Sequence, residues 1–174
     1  TNVESLSGLA ELIKLHIDGP SWVDLNNTSS FSKLRYLVLD KCNLEIEIRG
    51  FPQLDEIHVS QNYRTSMHYR EGSILELGDL PNLKKLYLDH AEHLEGLFMD
   101  NLPSLEHLEL KNQNELRVLH LNHLPNLRSL TVVPPQNRTT RGWFFPLTIK
   151  DQFSQLENLA DLTLGVNLGG MSFE

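Results

Sequence analysis

The sequence predicts a β-rich solenoid of about seven coils of roughly 22 residues. The coils line up a parallel concave sheet, with a largely non-helical convex side behind it. Three observations predict it: apolar residues fall in columns at a fixed step, both halves of each unit alternate apolar with variable residues, and Leu-Pro punctuates successive units.

The columns define the unit. Leu80, Leu102 and Leu124 each open an LPxL segment at a step of 22 residues. The same step joins Leu83 to Leu105 and Leu127, Leu86 to Leu108 and Leu130, and Leu88 to Leu110 and Val132. An LxxLxL-like segment starts at residues 12, 34, 54, 83, 105, 127 and 159. The long steps after 54 and 127 mark irregular insertions near 62–73 and 134–150. One coil cannot bury its own leucines, whereas stacked coils pool theirs into a continuous core. We therefore expect 1–174 to be a single repeat domain. It opens at Thr1 inside the pattern and shows no polar cap at either end, so a fragment of a longer chain is expected.

Each coil is then read in order. Within xxLxLxx the leucines share one face of a short strand and the residues between them share the other. The return half repeats the alternation in Ile46-Glu47-Ile48, Leu75-Glu76-Leu77, Leu97-Phe98-Met99 and Leu119-His120-Leu121. That period of two predicts extended segments rather than helices. Pro81, Pro103 and Pro125 sit where the chain rounds toward the next strand. The one helix candidate spans 150–156, where Asp151 can cap or join the first turn.

LxxLxLxxC/N at this period resembles the leucine-rich repeat, and the resemblance covers essentially the whole chain. The ladder position after each strand holds Cys42, Asn62, Ala91, Gln113, Pro135 and Asn167, so the usual Asn or Cys is present in only some coils. Irregular coils, LPxLxxL punctuation and an isolated Cys make it most similar to the repeat region of plant intracellular nucleotide-binding immune receptors. That resemblance implies a cytoplasmic protein-recognition module, ligand-sensing or autoinhibitory, beside nucleotide-binding and signalling domains it can contact within the parent chain. The alternative expectation is a secreted or cell-surface repeat protein with an extracellular protein ligand. The sequons at Asn26, Asn27 and Asn137 favour that alternative, while missing cysteine caps do not.

Composition narrows the function classes. A formal charge of −8 argues against nucleic-acid backbones as partners. No apolar run approaches the roughly 18 residues of a membrane span, so no membrane insertion is expected. Cys42 is the only cysteine, which rules out an internal disulfide and favours a reducing compartment. No phosphate-cradling, nucleophile-elbow or zinc-protease spacing occurs. The pairs His90/His93 and His120/His123 lack a third ligand. We expect no enzyme, no cofactor and no metal.

With the leucines assigned to the core, the residues between them become the candidate site. The protein-binding candidates on the concave face are Tyr36, Val38, Glu56, His58, Lys85, Tyr87, His107 and Glu109. Mixed polar residues on a sheet face are usually just solvated, so the two tyrosines and two histidines stand out as types enriched at binding hot spots. Trp143, Phe144 and Phe145 in the second insertion either plug the solenoid or form an exposed recognition loop.

Overall fold

The computed structural model describes residues 9–19, 25, 31–42, 46–60, 73–91, 94–113, 115–133, 148–150, 156–165 and 172–173. Every strand pairing in it is parallel, and no α-helix occurs among the described residues. A front sheet of seven strands runs β1 (Lys14–Asp18), β2 (Tyr36–Asp40), β4 (Glu56–Ser60), β6 (Lys85–Asp89), β8 (His107–Lys111), β10 (Ser129–Val133) and β12 (Asp161–Leu164). A back sheet of six strands runs β3 (Ile46–Arg49), β5 (Ser73–Gly78), β7 (Leu94–Asp100), β9 (Val118–Asn122), β11 (Thr148–Lys150) and β13 (Ser172–Phe173). From β2 onward the chain visits the two sheets alternately, which makes the molecule a β-solenoid.

Parallel sheets ordinarily need helical crossovers and are buried on both faces. Here, from β2 onward, the crossover from one front strand to the next is a back strand. Each sheet therefore buries one face and wets the other. The inward leucines of the front, such as Leu86 and Leu88, meet inward residues of the back, such as Leu97 and Met99, in one core. Each such leucine, at most 1% exposed, contributes about 1.5–3 kcal/mol of burial. The back is a continuous sheet rather than a series of separate extended segments. Both layers then share the ~4.8 Å strand spacing, which removes the mismatch that bends a solenoid with a helical back. Of the helix expected over 150–156, Lys150 ends strand β11 and Leu156 is not helical, and 151–155 lie outside the described residues.

Two kinds of corner close each coil. At the back-to-front corner, LPxL is a turn in which the fourth residue's N–H donates to the first carbonyl. Examples are Leu83 to Leu80 at 3.2 Å and Leu105 to Leu102 at 3.1 Å. Proline fits the second position because its ring presets φ. Phe31 and Phe51 hold the leucine position in earlier coils, where their rings stack at 6.3 Å. The third position carries a ladder: Asn82, Ser104, Asn126 and Asn158 donate to the carbonyls of Pro52, Pro81, Pro103 and Pro125 in the preceding coil.

Immediately after eight of the strands the backbone turns left-handed. Gly19, Lys41, His90 and Asn112 do so after front strands, and Gly50, Asp79, Asn101 and His123 after back strands. Asn, Asp and His tolerate this region better than other non-glycine residues. The turn keeps an N–H in the ladder while redirecting the chain, as in His90 to Lys111 at 3.2 Å and Asn112 to Val133 at 2.8 Å. His90 and His123 are therefore corner residues, and no group of three metal-ligating side chains occurs among the described residues.

The ladder position behaves as its chemistry dictates. Cys42, fully buried, directs its thiol to the carbonyls of Ile17 and Asp40 at 3.5 and 3.4 Å. Gln113 donates to Leu88 and Lys111 at 3.0 and 2.6 Å, one coil back and within its own coil, as Cys42 does. Burial, with Asp40 and Asp18 nearby, pushes the Cys42 thiol up to about 11. It is an inert structural thiol. Asn62, Pro135 and Asn167 lie outside the described residues.

Candidate functional face

The outward residues of the front sheet fall into rows because the strands pair in register. One row reads Tyr36, Glu56, Lys85 and His107, and the next reads Val38, His58, Tyr87 and Glu109. All eight candidate residues therefore form one contiguous block, four strands wide and two rows deep. At ~4.8 Å between strands the block is about 14 Å wide. Each of the eight lies on the wet face, half-buried except for Tyr36, which is 37% exposed. Parallel pairing places residues one coil apart side by side, so a column in the sequence becomes a row on the surface.

The block has an aromatic centre. The His58 imidazole stacks on the Tyr87 ring at 4.5 Å between centroids with 26° between planes. Glu56 contacts His58 Nε2 and receives Lys85 Nζ at 3.6 Å, which fixes the lower edge of the stack. Tyr36 carries the Arg35 guanidinium 5.8 Å from its centroid, and Arg35 also pairs with Asp55. Asp55, through its hydrogen bond above all, raises the Arg35 pKa further above its ordinary value. Rings held by their neighbours on a sheet lose little freedom when a partner lands on them.

A third row borders the block. Asp18, Asp40, Ser60, Asp89, Lys111 and Val133 stand side by side along it. Ser60 donates to Asp40 at 3.0 Å, and Lys111 bonds Glu109 at 2.8 Å. Lys41, from its left-handed corner, reaches Asp18 at 3.1 Å and Asp40 at 3.7 Å. The hydrogen bond to Asp18, with Asp40 adding through space, raises the Lys41 pKa. Lys41 was not among the candidates read from sequence, although its place one residue past Leu37-Val38-Leu39-Asp40 was a signal for it. Trp143, Phe144 and Phe145 lie outside the described residues, as do the sequons at Asn26, Asn27 and Asn137.

Chemically the face offers two stacked rings, an exposed tyrosine and carboxylates bridged to lysines. The Ser60 hydroxyl is turned to the Asp40 carboxylate. No family model matches the chain, and no curated protein or solved structure matches it either.

Proposed function

We propose that the chain is a leucine-rich repeat region of about seven coils, a non-enzymatic protein-recognition module of a larger, cytoplasmic, immune-type receptor. In this reading the front face grips a protein ligand, or holds another domain of the parent chain in an autoinhibited state. The observation that carries it is the two-by-four block with the His58–Tyr87 stack at its centre. Aromatic groups fixed near the middle of a sheet face supply apolar area at low ordering cost, which is what a binding hot spot needs.

The test begins with affinity capture using the whole parent protein. Tyr87→Ala should weaken capture by more than about 1 kcal/mol while Tm stays nearly constant. His120→Ala, on the back sheet, should leave capture unchanged. Partners that bind the Tyr87→Ala protein as tightly as wild type, but fail to bind a protein lacking 134–147, would assign recognition to that segment. The sequons support a second reading, a secreted repeat protein. A glycosidase-sensitive mass shift after expression in secreting cells would favour it.

A further inference from the structure

The front face is charged unevenly. Its three rows present the carboxylates of Asp18, Asp40, Glu56, Asp89, Glu109 and Asp161. Against them the rows themselves set Lys14, Lys85 and Lys111. Lys41 reaches in from its corner to bridge Asp18 and Asp40 with a single positive charge, and Arg35, over Tyr36, is paired with Asp55. Beside the aromatic centre two carboxylates, Asp89 and Glu109, stand against the one cation Lys111.

There the register builds a square of four side chains on neighbouring strands. Tyr87 pairs with Glu109 and Asp89 pairs with Lys111. Asp89 is 51% exposed and is bonded by neutral Asn112 at 2.7 Å and by His90 at 2.9 Å. Lys111 is 45% exposed and holds Glu109 at 2.8 Å. Its pKa is raised, first by the hydrogen bond to Glu109 and further by Asp89, so this spot favours a positive charge.

We propose that the square is the seat of an arginine, and that the front sheet docks a basic, arginine-bearing protein segment. The inference rests on the front-face reading and names its partner's chemistry. The side of the Tyr87 ring away from His58 is the stacking surface. A planar guanidinium laid on it directs its N–H fork at Glu109 and Asp89, whose strand positions are ~5–7 Å from Tyr87. Lys111 holds the Glu109 side of this place in the free protein. A lysine offers only a point charge on an exposed, mobile stem, so a bidentate, stacked arginine displaces it.

The isotopically labelled chain is titrated with acetyl-Gly-Arg-Gly-amide and followed by amide chemical shifts. Matched peptides carry lysine or the neutral isostere citrulline. The arginine peptide should shift amides in β6 and β8 saturably, the lysine peptide less, and the citrulline peptide not at all. Tyr87→Ala and Asp89→Asn should each weaken binding about fivefold. Lys111→Gln should strengthen it about twofold, because a competitor is removed. Equal binding of citrulline, shifts centred elsewhere, no saturable shift, or weaker binding by the Lys111→Gln protein would each overturn the proposal. The two readings fail separately. A captured partner that covers the front face while the arginine peptide does not bind sinks only the arginine seat. A partner that covers another surface sinks the front-face reading, whatever the peptide does.

Discussion

Replacing Leu108 by Ala and, separately, Glu109 by Ala tests the strand register with two adjacent residues. Leu108 lies mid-strand in β8, 1% exposed, between Leu86 and Leu130 on the flanking strands. Truncation removes three carbons, worth about 2.4 kcal/mol of transfer at ~0.8 kcal/mol each. The cavity left in the middle of the stack cannot collapse from an end, so a total within about 2–5 kcal/mol is expected. Glu109 points the other way and loses only its exposed pairing with Lys111, which contributes about 0–1 kcal/mol. Urea unfolding followed by circular dichroism gives both numbers. Solenoids can unfold coil by coil, so the comparison is made on the midpoint shift at unchanged slope. Equal losses would refute the reasoning, because a register shifted by one residue exchanges the two faces.

Other expectations follow from the corners and the core. Asn126 donates to the Pro103 carbonyl, so Asn126→Asp should lower stability by about 0.5–1.5 kcal/mol, and Asn126→Ser, which keeps a donor, by less. His123 holds a φ of 52°, so a thermal melt should show His123→Gly as stable as wild type or better, and His123→Val destabilised by more than about 1 kcal/mol. Cys42 should resist iodoacetamide at pH 8 until the chain is unfolded. Its folded pKa of about 11 lies above the ordinary 9.0, so the folded state keeps a proton that the unfolded state loses. Stability from this group is therefore complete below about pH 9 and should decline as pH rises toward 11. At the ends, Leu9, Ile13 and Leu162 are 44, 54 and 47% exposed, so sedimentation should show concentration-dependent association that Leu162→Asp reduces.

The front sheet was legible because its signal is doubled. LxxLxL sets which residues point inward, and the repeat step sets which residues become neighbours, so Tyr36 through Glu109 could be grouped before any coordinates were known. The back was legible only as strands. Thr148–Lys150 and Ser172–Phe173 are too short to show a period, so the closing strands β11 and β13 were missed, and a helical pattern was read where β11 ends. Phe31 and Phe51 escaped as corner residues because the pattern was anchored on leucine. The left-handed corners were hidden for a different reason. Lys41, Asp79, His90, Asn101, Asn112 and His123 are residue types that any solvated surface carries, and only the backbone reveals their shared conformation. The Asn/Ser ladder was visible as LPNL and LPSL, but a side chain bonding to the preceding coil's carbonyl has no signature within one coil. The ion pairs around Glu56 and Glu109 depend on rotamers, which spacing does not specify.

Hydroxyl-radical footprinting of the complex with a captured partner tests the front-face claim most directly. Side-chain oxidation of Tyr36, His58, Tyr87 and His107 should fall sharply on binding, while Phe98 and His120 on the back sheet stay as reactive as in the free chain. Protection confined to the back sheet or to 134–147, with those four side chains unchanged, would contradict it.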